Sequence, residues 1–140
     1  MTSEKTLARI AGTLWLSMFL FAVPAGYVRF RFVDLGDAAA TANTIRASET
    51  LFRVGIVSDL LEIMAMLLAG MTLYLLLRHI HQPAAAAMVT FVAVAAGIGC
   101  LNMLNQYTAL VIATGDAYTS TFGAAGSNAL TMLFADMQVN

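Results

Sequence analysis

Charged residues are scarce in this sequence. Only 11% of its 140 residues are Asp, Glu, Lys or Arg, and 60% are hydrophobic, whereas about a quarter of the residues in an ordinary soluble domain carry a charge. So few charged groups cannot cover a globular surface that faces water. The mean hydropathy of +0.80 agrees, and the composition argues against a soluble domain.

Basic residues are few and scattered. Seven Lys and Arg stand against eight Asp and Glu, for a net charge of −1. Because no cluster of them forms the basic stripe that a phosphate backbone requires, we expect no nucleic-acid partner. The single cysteine, Cys100, cannot form an intrachain disulfide, and we expect it to pack as a small hydrophobic residue.

Motifs of recognised enzyme chemistry are missing as well. The sequence has no nucleophile with a partnering base, no metal-ligand motif and no glycine-rich phosphate loop. His79 and His81 stand two apart in a turn, and we interpret them as solvated loop residues rather than a ligand pair. We therefore predict no metal site, no cofactor and no enzymatic activity, with an intramembrane enzyme as the third alternative for function.

Long apolar segments are what the sequence does contain. They cover residues 10–31, 51–77 and 84–113, and each reaches the roughly 20 residues that span a bilayer core as a helix. The turn between the second and third is so short that the third must run back antiparallel. The third segment also carries the pairs Ala93/Gly97 and Ala95/Gly99, whose spacing lets helix backbones approach closely in lipid.

A further apolar segment begins near residue 128 and is only partly contained in the 140 residues. We expect the natural protein to continue beyond Asn140, because residues 128–140 are too few to cross the core. The predicted fold class is all-α: a polytopic membrane helix bundle in one domain, residues 1–140, with three full transmembrane helices and a truncated fourth. Before the fourth, a loop is predicted from the polar and glycine residues Gly115, Asp116, Ser120, Gly123, Gly126 and Ser127.

The first apolar segment has two interpretations. Lys5 and Arg9 precede it, and small residues flank Pro24, as at the cleavage site of a signal peptide. Hydrophobicity resumes directly after that point with Tyr27 and Val28, so we favour an uncleaved first span. Pro24 is predicted to kink this helix, because it lacks an N–H and clashes with the preceding turn.

The polar segment after the first span predicts a short helix over residues 37–50. Gly36 interrupts the helical pattern, and Asp37 caps the helix that follows. Apolar residues then recur at steps of three and four, which is typical of an amphipathic helix lying at the membrane surface. Arg46, Glu49 and Arg53 are spaced to form a charged, solvated stripe beside it.

Several of these blocks resemble a known family. They are Arg9-Ile10-Ala11-Gly12, Gly36-Asp37-Ala38-Ala39-Ala40-Thr41-Ala42, Ile45-Arg46-Ala47-Ser48-Glu49, Leu51-Phe52-Arg53-Val54-Gly55 and Leu73-Tyr74-Leu75-Leu76-Leu77. In order and spacing the chain resembles a bacterial integral membrane family, domain of unknown function 4386. The resemblance covers nearly the whole chain but only the N-terminal part of that family's domain. It implies a membrane protein and a fragment, and it supplies no catalytic residue.

Two sets of polar residues lie inside the predicted spans, where they are costly. Asp59 and Glu62 are three apart and share a helix face, about 12 and 16 Å from the start of the second span. The third span carries Asn102, Asn105 and Gln106, about 10 to 16 Å from the same membrane side. We predict that both sets meet in one polar layer, with Pro24 near the same level.

Two functions are open for this layer. It can be a hydrogen-bond network that holds the bundle together, with the carboxyls protonated or paired with Arg29 or Arg53. It can also be a proton or solute site, since neighbouring carboxyls in a low dielectric resist double ionisation. We predict a non-enzymatic membrane module, whose partners are the lipid bilayer and other helices or a second copy. The alternative is a proton-coupled or small-solute transporter using Asp59 and Glu62.

Localisation follows from the spans, and orientation from the basic residues. Lys5, Arg9 and Arg78 lie on one side of the predicted membrane, and Arg29, Arg31, Arg46 and Arg53 lie on the other. We predict a multi-pass protein of the cell membrane with a cytoplasmic N-terminus, because the first helix often dominates orientation.

Overall fold

The structure is a computed structural model that describes residues 4–32 and 37–139, without the side chains of residues 29, 30, 32, 138 and 139. Within these ranges it contains five helices and no strand. They are α1 (Glu4–Phe32), α2 (Ala38–Ala47), α3 (Glu49–Leu77), α4 (Gln82–Thr114) and α5 (Asp116–Val139). The predicted all-α class is confirmed.

Three of these helices are long and apolar enough to cross a membrane: Glu4–Val28 within α1, Glu49–Leu77 and Gln82–Thr114. At 1.5 Å per residue they measure about 38 to 50 Å, more than the 30 Å of a hydrocarbon core. Only 6%, 17% and 11% of the residues in their most apolar windows are buried inside the protein. Such apolar outer surfaces suit lipid and not water, and the chain is accordingly an integral membrane protein.

The short helix α2 begins where the sequence predicts a cap. Asp37 has an extended backbone, and its Oδ1 accepts hydrogen bonds from the N–H groups of Ala39 at 2.8 Å and Ala40 at 3.0 Å. A cap of this kind contributes about 1 kcal/mol to helix stability. The helix ends at Ser48, whose N–H bonds back to the carbonyls of Thr44 and Ile45.

The tight turn between α3 and α4 is held by its own hydrogen bonds. The Arg78 N–H donates to the Tyr74 carbonyl at 2.9 Å, and the His81 N–H donates to the Leu77 carbonyl at 3.2 Å. His81 Nδ1 accepts from the Ala84 N–H at 3.2 Å, so the imidazole satisfies one of the unpaired donors in the first turn of α4. Both His79 and His81 are exposed.

The prediction of a loop over residues 115–127 is largely wrong, because α5 begins at Asp116. Its polar residues fit a helix since their hydroxyls bond backwards: those of Ser120 and Thr121 both donate to the Ala117 carbonyl. The break is confined to Gly123, with φ 71° and ψ 166°. That conformation is open almost only to glycine.

The described chain divides into two compact units. The first comprises Met1–Val23 with Asp59–Cys100, and the second comprises Pro24–Ser58 with Leu101–Asn140. In the second unit, Val28, Ile45, Phe52, Leu110 and Ala113 form a buried apolar core.

Within the second unit, α2 packs against α5. The buried face of α2 consists of Thr41, Ala42 and Ile45. The apolar face that the sequence predicts for this helix is therefore covered by protein, whereas we expected lipid to cover it. That α2 lies at the membrane surface stays a prediction.

Glycines mark close approaches between helices inside each unit. In the second, a Cβ added to Gly55 would lie 2.9 Å from two carbons of the Val28 side chain. In the first, a Cβ on Gly99 would lie 2.9 Å from Ile63 Cδ1, whereas one on Gly97 would meet nothing within 4 Å. Of the two small-residue pairs in α4, Ala95/Gly99 therefore includes an intramolecular contact, while Gly97 lies on an open surface among the described residues.

Replacing Gly55 by alanine should destabilise the protein. Val28 is 1% exposed and its side chain is branched at Cβ. Because this branching restricts rotation about χ1, the side chain cannot move away from an added methyl group. We expect Gly55→Ala to lower the free energy of unfolding in mixed micelles by about 1–3 kcal/mol, the usual cost of overpacking. Gly97→Ala is the matched control and should show no loss, and equal stability of the two variants would contradict this packing.

Cys100 provides a test of membrane placement. It is exposed on the surface of the described protein and lies about 21 Å from the end of α4 at Thr114 by helical rise. In a bilayer it should resist a charged maleimide, because the charged reagent is excluded from hydrocarbon. In lipid nanodiscs we expect no labelling of Cys100 but full labelling of His79→Cys in a Cys100→Ser background. Equal labelling would place Cys100 in water.

Candidate functional site

The two carboxyl groups of α3 differ in exposure. Asp59 is buried, at 6% relative exposure, whereas Glu62 is half-buried. Both belong to the first unit. Glu62 lines a pocket of about 160 Å³ together with Trp15, Met18, Phe19 and Ala22 of α1. A carboxyl group beside two aromatic rings is a combination that suits a small cation, because ring faces and carboxylates both attract positive charge.

The three amide side chains of α4 also differ from one another. Asn102 and Asn105 are half-buried, but Gln106 is 0% exposed. Neither Oε1 nor Nε2 of Gln106 has a hydrogen-bond partner among the described residues. A buried amide without such partners costs about 1–3 kcal/mol. Gln106 is therefore the polar side chain whose presence most requires an explanation beyond intramolecular packing.

The predicted polar layer is divided between the units. Asp59 and Glu62 belong to the first, and all three amides belong to the second, so their meeting stays a prediction. The side chain of Arg29, one of the two predicted charge partners, lies outside the described residues. At Pro24, α1 is helical on both sides, and the kink itself stays a prediction.

The other predicted charge partner, Arg53, is engaged within its own helix. Its Nε and Nη2 donate to Glu49 Oε1 at 2.9 and 2.7 Å, one turn earlier in α3. The two side chains are 61% and 41% exposed. An exposed pair of this kind stabilises a helix by a few tenths of a kcal/mol.

Arg46 is exposed, as a solvated stripe requires, and it also makes a contact that the sequence did not predict. Its Nε donates to the carbonyl oxygen of Ala113 in the last turn of α4, and its Nη1 donates to Asn43 Oδ1 at 3.3 Å. A guanidinium group here satisfies a carbonyl that the helix end leaves unpaired, and it complements the negative end of the helix dipole. Spacing along α2 could not reveal this contact, because the acceptor lies 67 residues later.

Arg46 also lines a cleft of the second unit, with a volume of about 440 Å³. Its other walls include Glu49, Thr114, Gly115, Asp116 and Thr119. The cleft thus combines one cation, two carboxylates and two hydroxyl groups. The sequence signal for it was weak, because its residues come from the ends of four different helices.

A polar stripe in α5 escaped the sequence analysis. Ser127 and Thr131 are 0% exposed, and Ala135 follows at the same four-residue spacing. The Ser127 hydroxyl donates to the Ile112 carbonyl of α4 at 3.3 Å, and the Thr131 hydroxyl donates to the Ser127 carbonyl. The spacing of four could have identified this buried face, but the predicted loop included Ser127 and so separated it from Thr131 and Ala135 in the predicted fourth helix.

The described residues contain no group of three or more His, Cys, Asp or Glu side chains placed to hold a metal ion. No residue can therefore be assigned to a metal from the described part of the chain. The predictions of no metal and no cofactor stay predictions.

Comparison with known proteins gives one match. The family model described as Domain of unknown function (DUF4386) matches residues 10–140. No curated protein and no solved structure matches the chain. The resemblance seen in the sequence blocks is confirmed, and the family description names no activity.

Replacing Gln106 by methionine tests what this buried amide does. If the folded protein offers it no partner, the change removes an unpaired polar group while keeping shape, and the free energy of unfolding should stay equal or rise by about 1–3 kcal/mol. Gln82→Met, at the exposed start of α4, is the matched control. Chemical unfolding in mixed micelles measures both variants. A loss above about 1 kcal/mol would instead show that Gln106 binds a partner in the folded state.

Proposed function

We propose that this chain, which belongs to the family described as Domain of unknown function (DUF4386), acts as a non-enzymatic module of the cell membrane that works by contact with lipid and other helices. The N-terminus is proposed to be cytoplasmic. The observation that carries the proposal is the contrast between an apolar outer surface and a buried Asp59 within a helix long enough to span the membrane. A carboxyl group buried at such a place is best accounted for by polar contacts between helices.

The outer surface supports a role in helix contact. Large apolar side chains are exposed along every candidate span, among them Phe19, Phe91 and Leu101. In the bilayer these positions meet lipid or another helix. Gly97 and Ala93 are exposed on α4, and small residues are the ones that let helices of a second chain approach closely. A homo-oligomer is one arrangement that this surface suits.

Enzymatic activity is not part of the proposal. A nucleophile beside a base, a metal centre and a phosphate cradle are three common devices of enzyme chemistry, and the sequence carries the motif of none of them. Glu62 lines its pocket together with the apolar and aromatic side chains of Trp15, Met18 and Phe19. That environment favours binding or proton exchange over a covalent reaction.

A second candidate function is transport of a proton or a small cationic solute. The observation favouring it is the pocket of about 160 Å³ beside Glu62. Ionisable groups inside spans often mark the route of a proton or substrate. In this alternative Glu62 exchanges the proton or contacts the solute. Asp59, three residues earlier in α3, positions Glu62.

The two functions predict different consequences for Asp59→Asn and Glu62→Gln. For a structural module, wild-type proteoliposomes should show no proton flux above protein-free vesicles, and Asp59→Asn should lower the free energy of unfolding by about 1–3 kcal/mol as polar contacts are lost. A pH-sensitive dye inside the vesicles measures flux under an imposed membrane potential. Glu4→Gln, at an exposed position in the first turn of α1, is the control.

The contrary outcome is equally specific. Flux through the wild type that Glu62→Gln abolishes, with unfolding unchanged, would overturn the structural proposal in favour of transport. Glu4→Gln should keep whatever flux the wild type has.

A further inference from the structure

The cleft around Arg46 suits a zwitterionic ligand. We propose that it binds the head group of an aminophospholipid, with the phosphate on Arg46 and the protonated amine between Glu49 and Asp116. This site is separate from Asp59 and Glu62 and requires only that the chain lies in a membrane.

The guanidinium group of Arg46 has hydrogen-bond donors available for a phosphate. A guanidinium group offers five N–H donors in a planar fork. The bonds to Ala113 and Asn43 use two of them and fix the orientation of the group. The remaining three donors have no partner among the described residues, and a planar fork of this kind matches two oxygens of a phosphate.

The carboxylates decide which phosphate compound fits. Glu49 and Asp116 line the same cleft. Glu49 Oε1 already accepts from Arg53, which leaves Oε2 for a ligand, and the charge of Asp116 would repel a simple anion such as inorganic phosphate. A ligand that carries both a phosphate and a protonated amine matches both signs. A protonated primary amine also donates hydrogen bonds to carboxylate oxygens. A trimethylated amine has no N–H group and cannot donate them.

The position of the cleft points to a lipid as the source of this head group. Glu49 is the first residue of α3 and Thr114 is the last residue of α4, and both helices are long enough to cross the membrane. Helices that cross a membrane end in or beyond the head-group region, so we expect a cleft at the start of α3 and the end of α4 to lie beside phospholipid head groups. The volume of about 440 Å³ is within the range of sites that hold small molecules, roughly 300–1,000 Å³.

Native mass spectrometry of the full chain in a phosphate-free detergent tests the proposal. The probes are dihexanoyl phosphatidylethanolamine and dihexanoyl phosphatidylcholine, which differ only in the methylation of the amine. We expect one ethanolamine lipid to be retained about tenfold more tightly than the choline lipid. Equal retention of the two lipids would overturn the proposal.

Variants assign the two ends of the head group. Arg46→Gln should weaken retention of the ethanolamine lipid about tenfold, and Arg46→Lys should restore part of it because it keeps the positive charge. Asp116→Asn should remove the preference for ethanolamine over choline, and no hydrogen bond of the described fold depends on that carboxylate. Arg78→Gln, in the exposed turn after α3, is the matched control and should bind as the wild type does.

Soluble competitors separate a lipid from a free metabolite. Phosphoethanolamine without acyl chains should not displace the lipid at a tenfold excess, since the chains hold the lipid against the apolar helices. Displacement would overturn the lipid source in favour of a soluble phosphorylated amine. If Arg46→Gln failed to fold, the Asp116→Asn comparison alone would still decide the proposal: an unchanged preference in that variant contradicts it.

Discussion

The backbone of a chain in hydrocarbon must pair its own N–H and C=O groups, because lipid offers no partners. This constraint accounts for helices of 29 and 33 residues, α3 and α4, joined by a turn whose amides are bonded back to α3. It also accounts for the hydroxyl groups inside the spans. Thr72, Thr90 and Thr108 each donate to the carbonyl four residues earlier in the same helix. A hydroxyl group that is satisfied in this way adds little cost to a helix facing lipid.

Once the helices are internally satisfied, burial of apolar area no longer selects how they pack, because lipid is as apolar as leucine. The packing of the helices is then selected by close fit between their surfaces and by a few polar contacts. Gly55 against Val28 and Gly99 against Ile63 provide close fit, each within its own unit. The Ser127 hydroxyl on the Ile112 carbonyl and Arg46 on the Ala113 carbonyl provide polar contacts. Both polar contacts end in the last turn of α4, which ties this helix end to α2 and to α5.

Sequence reasoning worked where local chemistry decides the outcome and failed where a distant partner does. The three long helices and the Asp37 cap follow from hydropathy, spacing and turn residues that lie within a few positions of each other. The periodicity of α2 correctly identified a buried face including Ala42 and Ile45 but could not say that α5 covers it. The glycines between 115 and 127 were weighed alike, although only Gly123 takes a conformation that requires glycine. Likewise, nothing in the spacing separates Gln106, fully buried, from the half-buried Asn102 and Asn105.

The unequal surroundings of Asp59 and Glu62 bear on what the polar residues of α3 can do. Two carboxyls three residues apart lie on one helix face, so their difference in exposure comes from what packs beside each and not from helix geometry. A buried carboxyl can exchange protons or solutes only through neighbours, whereas the pocket beside Trp15 and Phe19 leaves room for a small molecule to reach Glu62 itself. In the proposed transport function, Glu62 is therefore the group expected to contact the ligand. Asp59 then acts through the contacts that hold α3 in place.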